Sequence, residues 1–440
     1  MLAISSPSTP DDPGSIVLIS SQTGEAIRRL TNEVRPYVDN RPVFSPDGKS
    51  IAYLRNSSIS ASEIYIVSVS GGTPKAITAD RRSITGLTWT ADSRELIFSA
   101  NLGGVGGLWR IPAQGGTPEH IPVNGKNPTS PVISRQGDRL AYTDRYTDSQ
   151  FYLYEGPGFA GRPVPGKFGG RKLLDFSSTR EDTSPQFSPD GERLVFTSQR
   201  TGSEEVWICR SDGSQLKRLT DFDGRAAGSP RWSPDGRWIA FDSRAAGSPD
   251  IYIISAEGGK PRQLTTDSHY DSKPNWSNDG KYIYFASNRS DPSSTKTEIW
   301  KMPVEGGPAV QLTHSGALEG FESPDGKLFY FSKNRGVYGL WSVTVEGTDE
   351  KPVPELKQAG YWRSWGLLKE GIYYVSKEPG ERQTIRFFSF VTRKVTPLLM
   401  VEKDALYWEP GLTLSQNGRQ LIYSQIDHIF NDLLLEEGFR

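Results

Sequence analysis

Residues 187–220 read FSPDGERLVFTSQRTGSEEVWICRSDGSQLKRLT, and residues 232–265 read WSPDGRWIAFDSRAAGSPDIYIISAEGGKPRQLT. Both contain an Asp-Gly pair, the favoured two-residue turn of a β-hairpin, because glycine adopts positive φ without a steric penalty. The same turn position recurs along the chain at Gly48, Ser93, Gly137, Gly191, Gly236, Gly280, Gly326, Gly371 and Gly418. The spacing is 44–47 residues, except for 54 between Gly137 and Gly191. This period is typical of one propeller blade per repeat.

Each repeat contains four strand-like segments. A short apolar run precedes the turn, and an alternating run such as RLVFTS or YIYFAS follows it. A third alternating segment and a short piece that often ends in Leu-Thr complete the unit. A four-stranded sheet cannot bury both of its faces alone, whereas sheets stacked around an axis bury one another. The sequence therefore predicts an all-β fold, a single β-propeller of about eight to nine four-stranded blades.

The repeat also predicts the blade boundaries within one propeller that spans 1–440. Residues 1–31 resemble the last strands of a blade and residues 405–440 the first ones, so the two segments are expected to form one closing blade together. The alternative is a fragment that begins inside a blade of a longer array. Residues 155–172, rich in Gly and Pro, predict a long loop. The eight complete blades are predicted at 36–78, 83–122, 127–174, 179–220, 225–265, 270–313, 316–356 and 361–399.

Composition excludes several classes of function. The chain has 51 basic and 52 acidic residues, so it offers no general positive field for nucleic acid. Its one cysteine excludes an internal disulfide framework and a cysteine-rich zinc site. No apolar run is long enough to span a bilayer, and the N-terminus lacks the features of a signal peptide. We therefore expect a soluble chain, cytoplasmic as written, or periplasmic as part of a longer membrane-anchored protein.

The repeat units resemble a known family. The stretches at 187–220 and 232–265, with WSNDGKYIYFASNRSDPSSTKTEIWKMPVEGGPAVQLT at 276–313, closely resemble the Trp-Asp-like propeller repeat of TolB-type proteins. ESPDGKLFYFSKNRGVYGLW, the AGYW at 359–362 and the segment from Gly411 are similar to the C-terminal propellers of bacterial winged-helix one-component regulators. The resemblance implies a sensory or interaction propeller. It also implies a further alternative, a periplasmic envelope scaffold like TolB.

The search for catalytic motifs favours a protein that is not an enzyme. Similar propellers precede peptidase domains of the prolyl-oligopeptidase type, but this sequence contains no Gly-x-Ser-x-Gly nucleophile elbow. Its four histidines show no metal-ligand spacing. The sequence therefore predicts a non-catalytic module that binds an unidentified protein or small molecule.

Three aspartates precede the first strand of their blades. Asp39, Asp182 and Asp271 each stand three residues before a proline, near the expected mouth of the central channel. The structural interpretation is an Asx-turn, in which each carboxylate accepts backbone N–H bonds from its own loop. The functional one is convergence on a divalent cation such as calcium, as in a propeller hydrolase or lactonase. No other cofactor is predicted.

Other recurring residues have mainly structural interpretations. Arg200, Arg244, Arg289 and Arg335 follow the second strands and are expected to tie neighbouring blades together by forked hydrogen bonds. Trp362 and Trp365 would either stack against a ligand or fill the space between blades. The turn residues are predicted to be purely structural; they are Asp47 and Gly48, Asp190 and Gly191, Asp235 and Gly236, Asp279 and Gly280, and Asp325 and Gly326.

Overall fold

The computed structural model confirms the all-β fold. It describes residues 1–6, 14–32, 37–58, 61–79, 83–102, 105–155, 172–174, 176, 178, 180–222, 225–245, 247–291, 296–333, 337–359, 363–376, 382–401 and 411–439. The predicted loop at 155–172 lies almost wholly outside the described residues, as do Arg335 and Trp362. In the described part of the chain, no helix is long and apolar enough to cross a membrane.

Thirty-six strands are described, and a single turn of 3₁₀ helix spans Pro354–Leu356. The first twelve strands are β1 (Leu2–Ser6), β2 (Ser15–Ile19), β3 (Ala26–Arg29), β4 (Val38–Phe44), β5 (Ser50–Ser58), β6 (Ala61–Ser68), β7 (Lys75–Ala76), β8 (Ile84–Trp89), β9 (Glu95–Leu102), β10 (Val105–Pro112), β11 (Glu119–Ile121) and β12 (Pro128–Ile133). The next twelve are β13 (Arg139–Glu155), β14 (Lys172–Leu173), β15 (Asp182–Phe187), β16 (Arg193–Ser198), β17 (Glu205–Arg210), β18 (Lys217–Arg218), β19 (Ala227–Trp232), β20 (Trp238–Ser243), β21 (Asp250–Ser255), β22 (Arg262–Gln263), β23 (Asp271–Trp276) and β24 (Tyr282–Ser287). The last twelve are β25 (Glu298–Pro303), β26 (Val310–Gln311), β27 (Glu319–Glu322), β28 (Leu328–Ser332), β29 (Leu340–Thr344), β30 (Lys351–Pro352), β31 (Trp365–Leu368), β32 (Gly371–Ser376), β33 (Thr384–Ser389), β34 (Val395–Met400), β35 (Leu412–Leu414) and β36 (Gln420–Glu437).

The chain divides into two compact units. The first unit comprises Met1–Tyr146 and Ile429–Arg440, and the second comprises Thr147–His428. Two long strands, β13 and β36, have residues in both units. This division differs from the predicted single ring of eight to nine blades.

The second unit contains six sheets of four strands. Five of them are consecutive in sequence, namely β15–β18, β19–β22, β23–β26, β27–β30 and β31–β34. The sixth is composite, because β35 and β36 from the end of the chain pair with β13 and β14 in the order β35-β36-β13-β14. The sixth sheet therefore joins the beginning of the second unit's sequence to its end.

Apolar clusters join the six sheets one after another, and the composite sheet joins the last of the other five to the first. Each consecutive pair of sheets from β15–β18 to β31–β34 shares one cluster of buried side chains. On the composite sheet, Tyr423 packs with Phe387 of β31–β34, and Ile422 packs with Phe196 of β15–β18. Successive residues of β36 point to opposite faces, so this strand contacts both the first and the last of the other sheets.

The first unit is a row of four sheets. They are β1–β3, β4–β7, β8–β11, and β12 with the adjoining parts of β13 and β36. Ile16 packs with Tyr53 between the first two sheets, and Leu54 packs with Phe98 between the second and third. Tyr142 packs with Leu108 between the third and fourth.

The predicted closing blade is therefore corrected. Residues 1–31 were expected to complete the sheet of residues 405–440, but β3 pairs with β2, and β2 pairs with β1. The partner of β36 is β13 instead. The reason is the length of β13, whose 17 residues extend beyond a normal blade strand and supply the pairing that β36 requires.

Tryptophan side chains near the ends of the first strands form hydrogen bonds to the neighbouring sheets. The Trp232 indole N–H donates to the Gln186 carbonyl at 3.2 Å, and that of Trp276 donates to the Arg231 carbonyl at 3.1 Å. In the first unit, Trp89 donates to the Val43 carbonyl at 3.1 Å. Each bond fixes the height of one sheet relative to the next while the indole ring fills the apolar interface.

The hairpin turns share one hydrogen-bonded arrangement. The Ser233 hydroxyl donates to Asp235 at 2.6 Å and accepts the Trp238 amide at 2.9 Å. The Ser277 hydroxyl likewise donates to Asp279 at 2.7 Å. These serine hydrogen bonds lower the pKa of both carboxyls below the usual range. The glycine after each aspartate has positive φ, for example 68° at Gly236.

The Leu-Thr signature extends the very short fourth strands. The Val206 amide donates to Thr220 Oγ1 at 2.9 Å, so a side chain continues the ladder where backbone pairing has ended. The Thr220 hydroxyl in turn donates to Glu205 Oε2 at 2.6 Å. Both bonds are buried. The same amide-to-threonine distance of 2.9 Å recurs at Thr31, Thr78, Thr265 and Thr313.

We expect Thr220→Val to lower the free energy of unfolding by about 2 kcal/mol, because the buried Val206 amide and one oxygen of the buried Glu205 carboxyl would lose this partner. The measurement is urea denaturation followed by tryptophan fluorescence. Thr348→Val is the matched control, because the Thr348 hydroxyl bonds only at the exposed surface, and it should change stability by less than about 0.5 kcal/mol. Equal effects of the two variants would contradict the proposed role of Thr220.

Candidate functional site

The first strands of the second unit contain strained bulges. Ser184, Ser229 and Lys273 have φ of 53°, 54° and 55°, and each directly precedes a proline. The strand register shifts at the same points. Arg363, just before β31, has φ of 64°. Non-glycine residues rarely adopt positive φ, and such bulges redirect side chains. The bulges therefore make these strands candidate positions for a site.

The predicted aspartates and arginines pair with each other. Asp182 accepts Arg200 Nη2 at 3.1 and 3.2 Å, and Asp271 accepts Arg289 Nη2 at 2.5 Å. Both pairs lie within one sheet, whereas the arginines were expected to bridge neighbouring blades. Arg289 also contacts Asp267 at 3.2 Å.

A third pair lies in the first unit, where Arg55 Nε and Nη2 contact Asp39 at 2.8 and 2.9 Å. Sequence reasoning missed Arg55, because it stands 16 residues after its aspartate and the arginines of the other two pairs stand 18 after theirs. The signal in the sequence that could have led to Arg55 was the acidic residue that all three blades share.

The aspartates are fully buried. Burial raises the pKa of Asp182 and of Asp271 despite the adjacent guanidinium groups. The Ser178 amide, four residues before Asp182 in the chain, also donates to this carboxylate at 3.0 Å, which is a bond within the same loop but not an Asx-turn. Among the described residues, no group of three or more His, Cys, Asp or Glu side chains is arranged to hold a metal ion. Each carboxylate is thus engaged by its own arginine.

The remaining predicted residues are not brought into this arrangement. The sheet of Arg244 has Ala227 where the others have aspartate. Trp365 is 2% exposed and packs edge-on against Phe321, with 4.8 Å between ring centroids. The hypothesis that Trp365 forms an exposed stacking surface is therefore wrong, because the ring fills the interface between two sheets. Trp362 lies outside the described residues.

Sequence reasoning missed a buried cluster of three charges, Arg231, Glu319 and Arg363. Arg231 Nη2 contacts Glu319 Oε1 at 2.5 Å, and Arg363 Nε contacts Glu319 Oε2 at 3.0 Å. Each residue is at most 5% exposed. Arg363 also reaches Ser229 Oγ at 3.3 Å. The cluster therefore connects β19 with β27 and with the segment just before β31, although the sheet of β19 is next to neither of the other two sheets.

Opposing effects set the charge state of Glu319. Burial raises the pKa of this carboxyl, but the charges and hydrogen bonds of Arg363 and Arg231 outweigh burial and leave the pKa below its usual range. The guanidinium of Arg231 also lies 5.8 Å from the centre of the Phe321 ring. The three charges thus stay ionised inside the unit and bind each other. Glu319 pairs with Ser332 as Asp182 pairs with Ser198, so it occupies the acidic position of the repeat, whereas Arg231 and Arg363 are not among the recurring arginines.

We expect Glu319→Gln to lower the free energy of unfolding by about 3 kcal/mol, because two buried arginines would lose the counter-charge that they share. Chemical denaturation of the purified variants measures this change. Glu305→Gln, at an exposed turn, is the control and should be nearly neutral. A Glu319→Gln protein as stable as the parent would show that the cluster does not hold the first strands together.

A second group of acidic residues lies at the junction of β21 and β23. Asp250 is 1% exposed and accepts Thr265 Oγ1 and Gln263 Nε2, both at 3.1 Å. Burial, with smaller repulsion from Asp271 and Asp267, raises the pKa of Asp250 to about 7. In the same group, Arg289 pairs with Asp267 and Asp271.

The raised pKa predicts a pH dependence. Between the unfolded pKa of 3.8 and the folded value of about 7, the unfolded chain releases a proton that the folded chain retains, so stability falls as pH rises. Between pH 5 and 8, we expect the free energy of unfolding of the Asp250→Asn variant to fall by about 2 kcal/mol less than that of the parent protein. Denaturant titrations at both pH values measure it, with the exposed Asp349→Asn as control. An unchanged pH slope in Asp250→Asn would contradict the assignment.

Comparison with known proteins gives one family match. The sequence matches the profile of the TolB beta propeller domain over residues 12–155 and 172–369. Together these segments cover well over half of the chain.

Three curated relatives match about two fifths of the chain each. An uncharacterized protein of Agrobacterium fabrum, Atu1656, is 30% identical over 41% of this chain and 61% of its own length. The uncharacterized peptidase YuxL of Bacillus subtilis is 27% identical over 44% of this chain and 26% of its own. Tricorn protease homolog 1 of Streptomyces coelicolor is 30% identical over 42% and 17%. The matches thus span less than two thirds of each relative.

Two solved structures match the chain at low sequence identity. TolB from Acinetobacter baumannii is 18% identical over 77% of this chain and 76% of its own, with a TM-score of 0.34. The tricorn protease is 16% identical over 100% of this chain and 44% of its own, with a TM-score of 0.32.

Proposed function

Because the chain belongs to the TolB β-propeller domain family, we propose that it is a non-catalytic module that binds a protein or a small molecule. Its role would be that of a sensor or scaffold, similar to the sensory part of a one-component regulator. A propeller presents rigid loops and strand ends to a partner without chemistry of its own.

The observation that carries this proposal is the state of the buried charges. Glu319, Asp182 and Asp271 each contact arginine within 3.2 Å. A general base or a metal ligand needs a carboxylate open to substrate or ion. Side chains that neutralise each other instead support a rigid scaffold. The absence of a nucleophile elbow from the sequence supports the same conclusion.

A second candidate function is a role in hydrolysis. Two curated relatives carry peptidase or protease names. In this alternative, the propeller either accompanies a hydrolase or holds a divalent ion such as calcium at its centre, as in a lactonase. A third candidate, an envelope scaffold, rests on the family resemblance to TolB.

One experiment separates binding from hydrolysis. Metal content is measured by mass spectrometry, thermal unfolding is followed with and without a chelator, and aryl esters, lactones and peptide anilides are offered as substrates. We expect turnover equal to a buffer blank and no effect of the chelator. A stoichiometric divalent ion, with hydrolysis that is lost in Asp182→Asn but kept in the exposed Asp349→Asn, would instead establish the hydrolase.

Binding itself is tested by a thermal-shift screen of small molecules and short peptides. A ligand that binds only the folded state raises the melting temperature by mass action. Calorimetry then gives the stoichiometry. A one-to-one ligand would support the binding module, and a screen without any ligand that also revealed turnover would overturn it.

A further inference from the structure

We propose that a cavity in the first unit binds an organic ammonium ion, that is, an ammonium group on a hydrocarbon body. This β11 cavity has a volume of about 400 Å³ and lies between β11 with the two residues after it and the end of β36 with the two residues after that strand. All of its lining belongs to the first unit. The proposal rests on the binding function proposed above and names a site and a class of ligand for it.

The two walls of the cavity are held from behind. On the β11 wall, the His120 ring packs edge-on against Trp109, with 5.0 Å between ring centroids. On the β36 wall, the Tyr142 hydroxyl donates to Glu436 Oε1 at 2.9 Å, and the Phe439 amide donates to the Asp138 carbonyl at 2.9 Å. These contacts fix both walls in place. Preformed cavities of this size are typical of sites for small organic molecules.

One side of the cavity is apolar. Ile121 is 8% exposed and belongs to the apolar cluster between the third and fourth sheets, on which Val123 and Phe439 also pack. Pro122 continues this side toward solvent. A hydrocarbon body that lies against these side chains leaves water, which is favourable. The cavity therefore suits a ligand with an apolar part.

The charged groups of the lining are mostly carboxylates, namely Glu119, Glu436 and Glu437. Arg110 also lines the cavity, but its Nε lies 3.6 Å from Glu95 Oε2, and Glu95 is not part of the lining. The Arg110 guanidinium also lies 5.5 Å from the centre of the Phe439 ring. Its charge is thus shared with a carboxylate outside the cavity. The lining as a whole is negative and attracts cations.

The arrangement of the carboxylates indicates which cation fits. Among the residues that the structure describes, no three His, Cys, Asp or Glu side chains are placed to hold a metal ion. The carboxylates of the cavity therefore do not share a small ion. An ammonium group has three N–H donors, which can reach separate acceptors while the hydrocarbon body lies on the apolar side. A free amine and the lysine side chain of a peptide both carry this group.

The test is titration calorimetry of the full chain with hexylamine, which is protonated at neutral pH. Hexan-1-ol is the uncharged control of the same length. We expect the Kd of hexylamine to be at least tenfold lower than that of hexan-1-ol and to rise with added salt, because salt screens the carboxylates. Nα-acetyl-lysine amide represents the peptide source, and the tighter of the two amines identifies the source.

Two variants locate the binding site. Glu119→Gln and Glu437→Gln each remove one carboxylate of the lining at an exposed position, and each should raise the Kd of hexylamine at least threefold. Glu25→Gln is the matched control, because Glu25 is exposed in the first unit outside the cavity, and it should leave the Kd unchanged. Melting temperatures equal to that of the parent show that the variants fold.

A fourth variant tests the sign of the charge that the cavity prefers. Arg440 follows Phe439 in the sequence and lies outside the described residues. A positive side chain next to a cation site competes with the ligand or repels it, so we expect Arg440→Gln to bind hexylamine at least as tightly as the parent. A higher Kd in Arg440→Gln would contradict a site for cations.

The outcomes separate this site from the general binding function. Hexylamine that binds no more tightly than hexan-1-ol would overturn the proposal, as would a Kd that neither Glu119→Gln nor Glu437→Gln changes. In either case, a different one-to-one ligand from the thermal-shift screen would still support the binding module. Turnover of the offered substrates without any ligand would overturn the binding module itself.

Discussion

The pairing of β36 with β13 is the interaction on which the second unit depends. It joins residues near 150 to residues near 423, and it supplies the sheet that lies between the first and the last of the others. Without it, the faces of β15–β18 and β31–β34 that now pack on Phe151, Ile422 and Tyr423 would be exposed to water. The paired residues lie far apart in sequence. The chain between them therefore loses conformational entropy before the burial of apolar side chains can compensate for that loss.

The packing of the six sheets also constrains the polar groups of the second unit. First strands packed around an axis bring backbone bulges and charged side chains into a space that excludes water. Burying an isolated charge is costly. The Asp–Arg pairs offset that cost within the sheets that contain them, and the cluster of Arg231, Glu319 and Arg363 offsets it across sheets. The charged side chains at this centre are therefore held by one another.

Much of the local structure was predictable because it is encoded within one repeat. The turn glycines, the alternating strands and the Leu-Thr endings use neighbouring residues, so their period gave the number and type of elements. The Asp–Arg pairs were predictable only in part. Both residue types were noticed by their recurrence, but their mutual contact was not, since strand pairing decides which residues stand side by side.

By itself, the sequence determined an all-β propeller of four-stranded sheets, because that outcome depends on short-range periodicity and turn chemistry. Only the tertiary structure decided that the chain forms two units, that β13 rather than residues 1–31 completes the C-terminal sheet, and that Glu319 unites two distant arginines. Trp365 became a packing residue for the same reason. These outcomes depend on which segments meet in space, and the repeat, being nearly identical in every blade, carries little information about which blade meets which.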